Sequence, residues 1–66
     1  MNIILNGESF ECDHGSTLES LVETRRLSGK RIAIEVNLEV VPRSQFSSCQ
    51  LHEGDRVEIV HAIGGG

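Results

Sequence analysis

The dipeptide Asn6-Gly7 joins two short stretches that both read as strand. A tight hairpin turn needs positive φ at both central positions, and Asn followed by Gly meets that need at little steric cost. Residues Asn2 to Asn6 are rich in Ile and Leu, with Ile3 and Leu5 on one face. Glu8 to Cys12 alternates, Phe10 and Cys12 against Ser9 and Glu11, as a half-buried strand does. The chain therefore opens as a β-hairpin with one apolar face, and the residues that follow have to cover it.

Asp13-His14-Gly15 breaks the second strand. Ser16-Thr17-Leu18-Glu19 then fits a capping box, in which a hydroxyl accepts an orphan helix N–H and Glu19 reaches back to the cap. Leu18, Leu21, Val22 and Arg25 lie at i, i+3, i+4 and i+7, which predicts a helical stripe of roughly two turns with three apolar members. Ser28-Gly29 is the expected stop, through a left-handed cap. Ile32 to Asn37 reads as a strand with Ile34 and Val36 facing one way, and Glu39 to Val41 as a short neighbour. Pro42, which has no N–H for a ladder, stops pairing there. Arg43 to Ser48 suggests a turn or short helix that carries Phe46 inward, and Glu53-Gly54-Asp55 a turn. Arg56 to His61 alternates again, Val57 and Ile59 against Glu58 and Val60. A hairpin, one crossover helix and further strands predict an α+β fold, a mixed sheet of four to five strands with the helix on one face. In such a sheet the first strand can pair with the last, which makes the last strand central.

With 66 residues there is room for one domain. A domain of this size buries only about 60% of the surface its unfolded chain exposes, so no deep substrate cavity is expected. No nucleophile–base pair and no metal-binding Cys/His spacing is visible, which argues against an enzyme, a bound cofactor or a metal. The chain has two Phe and no Trp or Tyr, so stacking platforms for single-stranded nucleic acid are missing. Ten acidic residues against six basic ones give a net charge of -4, which disfavours nucleic acid and favours docking onto basic protein surfaces. Cys12 and Cys49 read as two reduced, mostly buried thiols of a cytosolic protein. The start, MNIIL followed by polar Asn6, has neither a basic leader nor a long apolar run. A cytoplasmic monomer without membrane contact is the expectation.

The last residues are His61-Ala62-Ile63-Gly64-Gly65-Gly66. The expected domain is 1–63, with 64–66 as a glycine tail. Three glycines reach up to roughly 10 Å, and without side chains they suit a narrow channel in another protein. The carboxylate they carry is ionised at neutral pH, and its oxygen can attack a nucleoside triphosphate to become an acyl adenylate. Composition alone reads the same glycines equally well as a frayed end, a linker or a cloning remnant.

The motifs IILNGESFEC, HGSTLESLV, IAIEVNLEVVPRSQF, LHEGDRVEIV and HAIGGG, together with the length and strand order, carry a resemblance. The chain resembles the sulfur carrier proteins of thiamine biosynthesis, a ubiquitin-like family with the β-grasp fold. The resemblance runs essentially from Met1 to Gly66. It implies that an ATP-dependent adenylating enzyme activates Gly66, with Gly64 and Gly65 as the part of the tail that enters the partner. It further implies that sulfur, passed on from a cysteine desulfurase, replaces the adenylate to give a thiocarboxylate, and that thiazole synthase receives this sulfur. The ATP belongs to the partner, and the carrier is acted on.

Two other functions fit the same features: a ubiquitin-like modifier joined to lysines of target proteins, and a sulfur carrier for molybdopterin synthesis. The latter family usually has a longer chain. Val60, which alternates away from the Val57/Ile59 face, and Ile63 form a candidate docking patch. The remaining polar candidates have plainer readings. His61 is expected to be an exposed strand-end histidine, His14 and His52 to lie near turns, and Arg43 and Arg56 to make weak surface pairs. Cys12 and Cys49 lack a nearby basic group to activate them.

Overall fold

A computed structural model describes residues 1–61. It contains β1 (Asn2–Leu5), β2 (Glu8–Glu11), helix α1 (Leu18–Thr24), β3 (Ile32–Val36), β4 (Glu39–Val41), a 3₁₀ turn at Arg43–Gln45, and β5 (Arg56–His61). The five strands form one sheet in the order β2-β1-β5-β3-β4. β1 runs antiparallel to β2 and parallel to β5, and β3 runs antiparallel to both β5 and β4. The expected α+β architecture, a mixed sheet with the last strand central and next to the first, is borne out with five strands. No helix of the described residues is long and apolar enough to cross a membrane.

Alternation in the strands sets the layers. Ile3, Leu5, Ile34, Val57 and Ile59 turn to one face of the sheet and are buried. Leu18, Leu21 and Val22 cover them from α1, while Phe46 and Leu51 close the sides from the loops. The three apolar members of the predicted stripe are thus the buried ones. Arg25 is exposed, with its guanidinium over the Phe10 ring, 5.8 Å from the centroid.

Both helix ends differ from expectation. The capping box is closed by Thr17 and Ser20, one residue later than Ser16 and Glu19. The Ser20 N–H donates to Thr17 Oγ1 (3.2 Å), and the Thr17 N–H donates to Ser20 Oγ (2.9 Å). Ser16 is held in the preceding loop: its hydroxyl donates to the Asp13 carbonyl, and its own carbonyl accepts from Leu51 N–H. Glu19 stays in the first turn, where a carboxylate suits the positive end of the helix. At the other end the helix stops at Arg25, ahead of Ser28-Gly29. Arg26 takes the left-handed conformation (φ 59°), the Leu27 N–H bonds to the Val22 carbonyl, and the Arg26 N–H to the Glu23 carbonyl. This is a Schellman ending built without glycine. It lets Leu27 fold back onto the core. Ser28-Gly29 instead forms the next turn, in which Lys30 N–H bonds to the Leu27 carbonyl.

Two asparagines hold the central strand. Asn6 and Gly7 have φ of 50° and 83°, the doubly positive turn expected between β1 and β2. β1 stops pairing with β5 at Leu5↔Val57, and the Asn6 side chain takes over, accepting from Ile59 N–H at 2.8 Å. Asn37 does the equivalent at the start of β5. Its N–H donates to the Arg56 carbonyl (2.7 Å), its Oδ1 accepts from Arg56 N–H (3.0 Å), and its Nδ2 donates to Asp55 Oδ1 (3.0 Å). Asp55 also accepts from His52 N–H through Oδ2 (2.8 Å). Asn37 and Leu38 form a second doubly positive turn, with φ of 52° and 72°. Leu38 thus sits where a Cβ crowds a carbonyl, with its side chain 81% exposed.

Three outcomes follow for stability. In urea melts, Asn6→Gly keeps the turn but loses the bond to Ile59, costing about 1 kcal/mol. Asn6→Ala loses both and costs roughly 2–3 kcal/mol. Leu38→Gly relieves the strained turn without uncovering core and stabilises by roughly 0.5–1 kcal/mol, giving a higher urea midpoint at unchanged slope. The Cys49 thiol is pushed above its ordinary value by burial and, second, by the Asp55 carboxylate. Iodoacetamide at about pH 8.5, the ordinary thiol range, therefore alkylates Cys49 more slowly in the folded chain than in urea. The same shift means that the folded state holds this proton more tightly. Its contribution to stability is intact at neutral pH and declines as pH rises through the thiol range.

Candidate functional site

Most of the residues singled out in the sequence follow β5 in the chain. Val57 and Ile59 anchor this strand in the core, and its pairing with β3 runs through Val36↔Val57 to Ile32↔His61. On its other side β1 ends at Leu5, and the Asn6 side chain supplies the last bond, at Ile59. Val60 and His61 therefore have a ladder partner on the β3 side, while their other side lies past the end of β1. Ala62 to Gly66 come next in the chain. Ile63, Gly64, Gly65 and Gly66, and with them the expected boundary between domain and tail, lie outside the described residues.

Val60 points away from the core and is 58% exposed, as the alternation predicts. It is paired with Ala33 on the open face of the sheet. Val40 of β4, 69% exposed, opposes Glu35, which also opposes Glu58, so Val40 and Val60 share that face on either side of β3. Leu38 is exposed in the adjoining turn. Val40 and Leu38 were not anticipated. A three-residue strand is too short for alternation to say which of Val40 and Val41 turns outward, and the register against Glu35 decides it.

The other polar candidates are dispersed. His61 is exposed at the end of β5, and His14 is exposed in the turn after β2. His52 is exposed, its Nδ1 3.8 Å from Asp55 Oδ2. Cys12 and Cys49 are both free and half-buried, and Cys12 lines a groove of about 280 Å³ between β2 and α1. Arg56 is exposed at the start of β5. Arg43 is more ordered than a surface pair: its Nη2 donates to the Lys30 carbonyl (2.6 Å), and its guanidinium lies 5.7 Å from the Phe46 ring centroid. Among the described residues no group of three or more His, Cys, Asp or Glu side chains could hold a metal ion. What the described residues do is present the end of one strand, held through its neighbours, next to an open sheet face with scattered apolar side chains. Asn6 and Asn37 are the positioning residues that sequence reasoning missed. Asn6 was read only as a turn former, and Asn37 only as the end of a strand.

Comparison with known proteins agrees with this geometry. The model of the ThiS family matches residues 3–66. The sulfur carrier protein ThiS of Escherichia coli is 29% identical over 66 residues, with both chains covered in full. A thiazole synthase of Magnetococcus marinus is 41% identical over 66 residues, and this chain spans only 20% of its length. The crystal structure of the thiamine biosynthesis protein ThiS from Geobacter metallireducens superposes with a TM-score of 0.86 at 28% identity, each chain covered in full. The mixed five-stranded sheet with its single helix is the β-grasp arrangement that this likeness predicts. With the family model running through nearly every residue and a whole-chain structural match beside it, the chain belongs to the ThiS family of sulfur carrier proteins.

Proposed function

We propose that this chain carries sulfur for thiazole formation in thiamine biosynthesis and that the Gly66 carboxylate is its reacting group. The observation that carries this reading is the match of the ThiS family model through residue 66, so that the glycine end falls inside the family pattern. The thiazole synthases that contain a segment like this chain, about a fifth of their length, support thiazole synthase as the receiving partner. Fusing two partners into one polypeptide raises the effective concentration of each for the other.

The chemistry suits a carrier with no catalytic groups of its own. A carboxylate is a poor acceptor for a sulfur nucleophile, because the leaving group would be oxide. In the adenylating enzyme the Gly66 oxygen attacks the α-phosphorus of ATP, an oxygen–phosphorus bond forms, and pyrophosphate leaves. The terminal sulfur of a persulfide, charged by a cysteine desulfurase, then attacks the acyl carbon, and AMP leaves with the original carboxylate oxygen. A thiol cleaves the resulting acyl disulfide, releasing the thiocarboxylate as the thiol is oxidised to a disulfide. The thiocarboxylate sulfur is a better nucleophile than the oxygen it replaces and is passed to thiazole synthase. Gly65 and Gly64 let the end pass where a side chain would clash. The carrier binds no cofactor of its own, and it works as a cytoplasmic monomer. Val60 and Ile63 belong to the surface that the partners grip.

Intact mass after incubation with ATP, the adenylating enzyme of the same organism and a sulfur source tests the reading. The expected product is heavier by one oxygen-to-sulfur exchange, localised to Gly66. Deleting Gly66 abolishes the exchange while the urea midpoint stays unchanged. Loading that survives the deletion would refute the carboxylate assignment. Isopeptide-linked species of high mass in cells would indicate a protein modifier instead.

A further inference from the structure

The net charge of -4 hides a strong asymmetry. Of the six Lys and Arg residues, only Arg56 lies at the start of β5, level with Ile4 in the sheet. The other five gather at the opposite end, where β5 finishes. Arg31 immediately precedes Ile32, which pairs with His61, the last described residue. Lys30 is next to it, and its carbonyl is tied to the Arg43 guanidinium at 2.6 Å. Helix α1 points its C-terminus the same way: Arg25 shares a groove with Leu5, Asn6 and Glu8 at the β1–β2 turn, and Arg26 follows it at the left-handed cap.

All five side chains belong to exposed residues, and among the described residues none lies within 4 Å of a carboxylate oxygen. On this side Glu23 lies in the last turn of α1, Glu8 is level with Val57, and Glu35 and Glu58 oppose each other in mid-sheet. Glu11, Asp13, Glu39 and Glu53 sit toward the other end, around the start of β5 and the N-terminus of α1. The acidic character expected to draw the protein to basic surfaces is thus concentrated away from the end at which β5 finishes.

We propose that Arg25, Arg26, Lys30, Arg31 and Arg43 form a basic collar that docks on an acidic protein surface, the rim of the channel through which the ATP-using partner takes the tail. This rests on the carrier function proposed above. The five residues after His61 span at most roughly 17 Å when fully extended. A carboxylate reacting inside a partner therefore draws the body of the carrier down onto the mouth of the channel. The collar meets that mouth, while the nucleotide phosphates lie at the far end of the tail. Opposed charge at such a rim speeds encounter and orients the tail end toward the opening, and the acidic far end disfavours the inverted approach. Two of the four guanidiniums are preordered over aromatic rings, Arg25 on Phe10 and Arg43 on Phe46, which lowers the entropy lost on docking.

The test has two arms. In the first, the isotope-labelled chain is titrated with hexaglutamate at low salt and followed by amide NMR. Shifts confined to residues 25–31, 43 and 61 are expected. Shifts scattered over the surface, or centred on the open sheet face, would overturn the collar. In the second, loading of Gly66 by the adenylating enzyme is measured against carrier concentration. Lys30→Glu/Arg31→Glu is expected to raise KM about tenfold at roughly 50 mM salt with kcat nearly unchanged, the gap closing as salt rises. Arg31→Gln gives a smaller rise in the same direction and guards against a folding defect in the double variant. Glu39→Lys, at the acidic end, leaves KM unchanged. If the native chain loads and neither collar variant changes KM, the collar is wrong and the carrier function stands. If the native chain does not load at all, the carrier function falls and the collar falls with it.

Discussion

The central strand organises everything else in this small domain. β5 supplies Val57 and Ile59 to the core, pairs with β1 on one side and with β3 on the other, and leads directly to the residues that distinguish the chain. A sheet with so little helix to cover it has few contacts to spare, and backbone pairing alone does not hold both ends of this strand. The parallel ladder with β1 covers only Ile4↔Arg56 and Leu5↔Val57. Beyond it, amide side chains supply the missing partners: Asn6 to Ile59 at one end, and Asn37 to Arg56 and Asp55 at the other. Each asparagine serves two purposes. Its tolerance of the left-handed conformation turns the chain, and its side-chain oxygen caps a neighbouring strand.

That double role marks the limit of what the sequence made legible. Period-two alternation marked β2 and β5, apolar β-forming runs marked β1, β3 and the short β4, and the helix stripe named its buried members, because each of these signals is local. The hairpin at Asn6-Gly7 was legible because its residues have a strong conformational preference. The equivalent turn at Asn37-Leu38 was not, because leucine has no such preference and is forced into place by the pairing of β3 with β4 on one side and β5 on the other. The helix ends were misplaced for the same reason. Ser16 and Gly29 carry good end signals, but the burial of Leu18 and Leu27 sets the phase, and the chain closes its caps with Thr17 and Arg26. At the site, outward-facing Val60 followed from alternation, whereas the partners of Asn6 and Asn37 lie 53 and 19 residues away in sequence and have no local signature.

Charge tells a similar story at a larger scale. Summed over the chain, the acidic excess points to a basic partner. Resolved by topology, the same residues form a dipole-like body, with its cations around the end of β5 and much of its acid at the start. The antiparallel crossing of β3 and β5 brings Arg31 beside His61 although 30 positions separate them. Composition sees only the total, while a docking partner meets one end at a time.

The position of β5 also bears on how such a molecule is made. Among the described strands β5 is the middle of the sheet but the last to leave the ribosome, and until it arrives the β1–β2 hairpin and the β3–β4 hairpin have nothing to join them. A nascent or prematurely ended chain that lacks Val57 and Ile59 has no closed core. Folding is thus postponed until synthesis has passed the strand that leads to the glycines. Interrupted products stay open to proteolysis.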